Sequence, residues 1–173
     1  MKTLNLIIGT LAVVGASAFA SPAEAATSYR TAINHAAAAC MGALPVDRNK
    51  LEARSMGLTN VQGGIANINC GGAATPYNNN GDVEVYETAL RNNGAASINV
   101  NCMLVDGLED GIVTVTTSYP KTLTLAAGAV GWIDWTTADN GGKNFIYPAM
   151  TCQLPGDVAI SYTAVIYQVD VGL

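Results

Sequence analysis

The chain has 173 residues and a formal net charge of -5, and only 12% of its residues are charged. Eight Lys and Arg stand against 13 Asp and Glu, and no basic stretch could neutralise a row of phosphates. We therefore expect neither nucleic acid nor an anionic membrane surface as a partner. Apolar residues make up 50% of the chain, which is typical of a folded domain and not of a disordered tail.

The first 25 residues have the three parts of a secretory signal peptide. Lys2 supplies the positive charge, and residues 4–14 form an apolar stretch that is too short to span a bilayer. Two small-x-small cleavage sites follow, and Pro22 favours the second, which would make Ala26 the first mature residue. The sequence thus predicts export, to the periplasm or the cell exterior, with no membrane segment after cleavage and one domain over residues 26–173.

Residues 27–41 are rich in alanine and fit two interpretations. Ile33, Ala36, Ala37 and Cys40 recur at helical spacing, which indicates a short helix. An extended N-terminal arm fits this stretch equally well, and Pro45 ends it in either case.

Beyond Pro45 the chain alternates between turn residues and runs of about 6 to 12 residues that are rich in Val, Ile, Thr and Tyr. This spacing predicts an all-β fold: an antiparallel β-sandwich of the jelly-roll or immunoglobulin-like type, which can include one short N-terminal helix.

Several runs alternate between apolar and polar residues, as half-buried strands do. In residues 97–104 the inward set is Ile98, Val100, Cys102 and Leu104, and in residues 144–154 it is Ile146, Met150, Cys152 and Leu154. Residues 158–171 are apolar on both faces, which predicts a long central strand with a bulge.

All four cysteines lie in the mature part, and in an oxidising compartment an even count predicts two disulfides. Their spacings match no C-x-x-C redox or zinc pattern, so we expect no metal centre. Spacing alone does not select among the three pairings. We favour Cys102–Cys152, because both residues end a strand and continue as C-x-L, as positions facing across a core would; Cys40–Cys70 then remains.

Three segments of the chain resemble one another, each being a strand that reaches a cysteine: residues 66–70, 98–104 and 150–156. With residues 83–86 and 160–162, they resemble a loose group of uncharacterised secreted bacterial four-cysteine β-proteins of unknown function. The resemblance implies export and a β-fold but no activity. The chain departs from that group at Gly71, where proline usually follows the second cysteine.

Residues suited to catalysis or metal binding are few. His35 is the only histidine, and the sequence contains no nucleophile motif for which it could act as the general base. Residues 78–84 offer oxygen ligands around a glycine, but their spacing fits an Asn/Gly turn better than a calcium loop. We therefore predict no catalytic, cofactor-binding or metal-binding residues. A glycosidase would have to draw its acid pair from Glu84, Glu87, Glu109, Asp110 and Asp134.

Residues 131–135 place two tryptophans on opposite faces of one strand. If Ile133 and Trp135 pack in the core, alternation turns Trp132, Asp134 and Thr136 outward, where an aromatic ring beside polar groups can stack on a sugar. In the alternative interpretation a loop, such as residues 138–143, covers the Trp132 ring.

Two functional hypotheses follow from these observations. The first is a non-enzymatic binding or structural module, whose partner is a carbohydrate or another cell-surface component. The alternative is a carbohydrate-active or other hydrolytic enzyme on the same sandwich. A cleft with convergent carboxylates would favour the enzyme.

Overall fold

The computed structural model describes residues 27–71, 83–109 and 114–170, and it confirms the predicted all-β sandwich. The strands are β1 (Thr27–His35), β2 (Cys40–Gly42), β3 (Leu51–Arg54), β4 (Gly57–Asn60), β5 (Ala66–Cys70), β6 (Val83–Asn92), β7 (Ile98–Glu109), β8 (Thr114–Leu125), β9 (Val130–Thr136), β10 (Ala149–Leu154) and β11 (Val158–Asp170). Three helical turns join them: α1 (Ala36–Ala39), α2 (Pro45–Arg48) and a 3-10 helix (Thr137–Asn140). The predicted signal peptide lies outside the described residues.

The strands form two antiparallel sheets. The six-stranded sheet has the order β3-β4-β11-β6-β9, with β1 also paired to β11, and the five-stranded sheet has the order β2-β5-β10-β7-β8. None of the helices in the described ranges is long and apolar enough to cross a membrane.

The alanine-rich N-terminal stretch contains both of the predicted conformations. Strand β1 is extended and pairs with β11 from Thr27 opposite Asp170 to His35 opposite Tyr162. One turn of helix, α1, follows directly, and the backbone N–H of Ala37 donates to His35 Nδ1 at 3.3 Å.

The core lies between the two sheets and is built on aromatic contacts. Trp135 and Tyr86 pack edge to face with their ring centroids 6.0 Å apart, and Tyr119 and Phe145 do so at 5.6 Å. Trp135 Nε1 donates to the Tyr119 carbonyl at 2.7 Å, so the indole of one sheet is hydrogen-bonded to the backbone of the other. Burial raises the pKa of Tyr86 to about 12, which keeps its hydroxyl protonated.

Strand β11 is the long central strand that the sequence predicts, and its pairing with β6 shifts twice. One shift falls between Ile160 and Tyr162. Ile160 is buried before the shift, and Thr163 and Val165 are buried after it. The core-facing positions therefore change from even-numbered to odd-numbered residues along the strand. The shift thereby turns Tyr162 toward the outer face of the six-stranded sheet.

The predicted strand over residues 144–154 is wrong in its first half. Strand β10 begins at Ala149; Ile146, placed inward by the alternation, is 48% exposed, and Phe145 is buried instead. The cause is Asp106, whose Oδ1 accepts the backbone N–H groups of Ile146 and Tyr147 at 2.8 Å each. These bonds hold residues 146 and 147 outside the strand. Asp106 itself is a buried residue of strand β7.

Both predicted disulfides are confirmed, but the structural reason given for Cys102–Cys152 is wrong. The bridge does not cross the core: Cys102 and Cys152 are directly paired on neighbouring strands β7 and β10. Cys40 and Cys70 are paired in the same way on β2 and β5. The Cα atoms are 4.1 and 4.0 Å apart, respectively. Both disulfides therefore lie in the five-stranded sheet.

Candidate binding face

Strand β9 alternates as its sequence predicts. Ile133 and Trp135 are buried in the core, whereas Trp132 and Asp134 are exposed on the outer face of the six-stranded sheet. The Trp132 side chain is 54% exposed, so residues 138–143 do not cover it. Thr136, the third predicted outward residue, is half-buried, and its backbone N–H donates to Asp139 Oδ2 at 2.8 Å. Thr136 thus starts the 3-10 helix.

The register of the sheet brings Tyr162 beside Trp132. Ala89, in the middle strand β6, is paired with Trp132 on one side and with Tyr162 on the other. Because alanine is small, the two aromatic side chains stand on either side of it on the same face of the sheet. The Tyr162 hydroxyl donates to Glu87 Oε1 at 2.5 Å.

The register also pairs Glu87 with Asp134, so two carboxyl groups lie beside the aromatic pair. Partial burial, followed by the charge and the hydrogen bond of Glu87, raises the pKa of Asp134 above its ordinary value, although Lys121 opposes the shift. The hydrogen bond to Glu87 and then burial raise the pKa of Tyr162. We call Trp132, Tyr162, Glu87 and Asp134 together the Trp132 face.

Lys121, on β8 of the other sheet, is the cation beside this face. Its Nζ donates to the Asp134 carbonyl at 2.6 Å and to Asp139 Oδ2 at 2.8 Å. Partial burial disfavours the charged form of Asp139, but the bonds from Lys121 and Thr136 outweigh it and lower the pKa of Asp139. The lysine charge is therefore paired chiefly with Asp139, outside the Trp132 face.

The other residues considered for chemistry are not brought to this face. His35 Nε2 lies 3.1 Å from the Ser55 carbonyl oxygen, and Nδ1 accepts from Ala37, so both ring nitrogens contact backbone. Glu84 is hydrogen-bonded to Gln168. The side chain of Glu109 and all of Asp110 lie outside the described residues, as does most of the calcium-like stretch 78–84. Within the described ranges, no three His, Cys, Asp or Glu side chains cluster as metal ligands do.

Sequence reasoning found part of this face and missed part of it. Trp132 and Asp134 follow from alternation within one strand, and Glu87 was one of several acidic candidates. Tyr162 was missed because its position depends on the pairing of β11 with β6 and on the shift after Ile160. Its signal in the sequence is a polar-tipped aromatic inside an otherwise apolar run.

Comparison with protein-family models gives no match, and no curated protein matches the chain. Among solved structures, a GH26-CBM35 beta-(1,4)-mannanase from Podospora anserina aligns with a TM-score of 0.40 and 10% sequence identity. The alignment covers 78% of this chain and 27% of the mannanase. The chain thus spans about a quarter of that protein's length.

Proposed function

We propose that the protein is an exported, non-enzymatic binding module that recognises carbohydrate at the Trp132 face. The observation that carries this proposal is the exposed indole of Trp132, which stands near Tyr162 on the outer face of the six-stranded sheet. An exposed indole offers its face for stacking on a pyranose ring. The carboxyl oxygens of Glu87 and Asp134 can accept hydrogen bonds from sugar hydroxyls.

The geometry of the carboxyl pair supports binding over hydrolysis. Glycosidases hold their two catalytic carboxyls about 5–5.5 Å apart for retention, or about 6.5–9.5 Å apart for inversion, so that the glycosidic bond and a water fit between them. Glu87 and Asp134 lie at directly paired positions of neighbouring strands, and Asp134 is exposed. The pair therefore stands on an open sheet face, whereas a glycosidase encloses its carboxyls in a cleft.

Export is the second part of the proposal. Two disulfides are the usual mark of an oxidising compartment. The signal-peptide pattern of residues 1–25 gives a route to that compartment. A module of this kind meets its ligand outside the cytoplasm, at a cell surface or in the surrounding medium.

A glycan array followed by titration tests the binding proposal. We expect millimolar affinity for an uncharged oligosaccharide, because a flat site buries little area. Trp132→Ala should abolish binding and remove a quencher-accessible, red-shifted component of the fluorescence, and the melting temperature should stay nearly unchanged. Tyr29→Ala, which removes an exposed aromatic from the edge strand β1, is the matched control and should bind normally.

Retention of binding in Trp132→Ala would overturn the proposed site. Release of reducing ends from any glycan bound by the oxidised protein would instead favour the hydrolytic alternative. That activity should then depend on Glu87 or Asp134, and Glu87→Gln provides the corresponding variant.

A further inference from the structure

A second site lies on the six-stranded sheet, where Arg91 is two residue pairs along the strands from the pair Ala89–Trp132. It is a cavity of about 170 Å³ between the β3–β4 hairpin and strands β6 and β11. Arg54 and Ser55, in the hairpin, form one wall of the cavity. Arg91, in β6, and Asn93, directly after β6, form another. A water molecule occupies about 30 Å³ in the liquid, so this space accommodates a group of several heavy atoms.

The side chain of Arg91 is the unusual feature of the cavity. It is half-buried, and its Nε atom is buried without a hydrogen-bond partner. Across the described residues, the Arg91 guanidinium has neither a hydrogen bond nor an ion pair. Its cross-strand neighbours are Ala159 on β11 and Val130 on β9, which offer no charge. A guanidinium is always charged, and partial burial without an acceptor is unfavourable.

The rest of the cavity wall also presents hydrogen-bond donors. Arg54 forms an exposed pair with Glu52 at 2.9 Å through one nitrogen, which leaves its other N–H groups free for a ligand. Ser55 and Thr59 contribute hydroxyls and Asn93 contributes an amide, and none of the described lining residues is acidic. Glu52 already compensates the charge of Arg54, so the uncompensated positive charge at the cavity is that of Arg91, in a chain with a net charge of -5.

We propose that this cavity, the Arg54/Arg91 pocket, binds an oxyanion: a carboxylate, sulfate or phosphate group that is free or part of a larger ligand. The planar fork of a guanidinium donates two parallel N–H bonds to such a group. The bound anion offsets the uncompensated charge of Arg91. The Arg54/Arg91 pocket shares no side chain with the Trp132 face. The proposal of anion binding therefore does not depend on whether the Trp132 face binds sugar.

The test follows the arginine Nε–H resonances of ¹⁵N-labelled protein during titration with inorganic phosphate, sulfate or acetate at constant ionic strength. Arg91→Gln assigns the Arg91 signal by removing it. We expect this signal to shift to saturation with at least one oxyanion and not with chloride. Whether acetate or the tetrahedral anions bind more tightly identifies the class of the anion.

Variants at the exposed arginines make the test independent of any folding defect in Arg91→Gln. Arg54→Gln should weaken anion binding at least tenfold. Arg30→Gln, the same change at an exposed arginine on β1, should leave it within twofold. A linear shift that chloride reproduces, or equal affinity in Arg54→Gln and Arg30→Gln, would overturn the proposal.

Discussion

The carboxyl groups of Glu87 and Asp134 meet at paired positions of β6 and β9. Partial burial and the neighbouring charge of Glu87 disfavour the ionised form of Asp134, so its pKa is raised above the ordinary value. When both groups are ionised, two negative charges face each other across the strands.

Asp134→Asn should therefore stabilise the protein at neutral pH. A raised folded-state pKa gives stability that is fully present below the ordinary value of 3.8 and is lost as pH rises through the folded value. Asparagine keeps a hydrogen-bond donor and removes the charge. Since Asp134 is mostly exposed, we expect a gain of only about 1–4 °C in Tm at pH 7, which vanishes near pH 3.

Asp139→Asn is the matched control, because the pKa of Asp139 is lowered and the expected stability change at neutral pH therefore has the opposite sign. The contribution of Asp139 to folding stability is present above its ordinary pKa and is lost as pH falls through its folded-state pKa. The substitution should lower the Tm at pH 7, with the difference shrinking in acid. Melting curves of the two variants between pH 3 and pH 8 would contradict this account if both moved in the same direction.

At the scale of strands, buried amides join the two sheets where strands end. Asn92, the last residue of β6, donates from Nδ2 to the carbonyls of Ala96, Leu125 and Ala126 at 2.7, 3.3 and 3.0 Å. Its Oδ1 accepts the backbone N–H of Gly94 at 2.9 Å. Asn60 acts similarly at the end of β4, where it donates to the Leu154 carbonyl of the other sheet at 2.8 Å.

Asn92→Ala should lower the free energy of unfolding by about 2–4 kcal/mol. The substitution leaves three carbonyls and one N–H without their partner in a buried or partly buried position, and each unsatisfied group adds a desolvation cost. Asn93→Ala changes the adjacent, exposed residue and should cost less than about 1 kcal/mol. Urea denaturation of both variants measures the difference, and equal losses would show that the amide network is unimportant.

The strands themselves could be predicted better than the bonds between them. Ile133 and Trp135 face inward because a strand has a period of two, which a single segment reveals. The bridging role of Asn92 could not be found in this way. In the sequence it precedes Asn93 and Gly94 and indicates an ordinary turn, and only the packing of the second sheet supplies its acceptors. Tyr162 was missed for a similar reason, since its neighbours come from two other strands.

At the scale of the whole molecule, the two disulfides close loops of 30 and 50 residues within one sheet. The sequence predicted the pairing through the C-x-L likeness of Cys102 and Cys152. That likeness reflects equivalent positions on neighbouring strands and not positions facing across the core. The alternation of apolar and polar residues predicts which face of a strand a cysteine lies on, but it does not predict which other strand lies beside it.

Removal of either disulfide should destabilise the fold, and removal of both should leave it marginal. In the chain-entropy model the two loops contribute about 3.5 and 4 kcal/mol, against a total of about 5–15 kcal/mol for an ordinary domain. We expect Cys102→Ala/Cys152→Ala to lose at least as much as Cys40→Ala/Cys70→Ala. Denaturation with and without reductant tests this. Oxidised and reduced wild-type protein melting within a degree or two of each other would contradict it.

The pairing of β1 with β11 determines how the fold responds to mechanical force. Thr27 and Asp170 are opposite each other in antiparallel strands, so tension applied at these two residues runs across the hydrogen bonds and opens them one pair at a time. Strand β1 should peel away at low force, from Thr27 toward His35. The two covalent bridges then keep their loops from extending. Trp132, on the far edge strand β9 of the same sheet, is the part of the proposed binding face that is most distant from the first rupture.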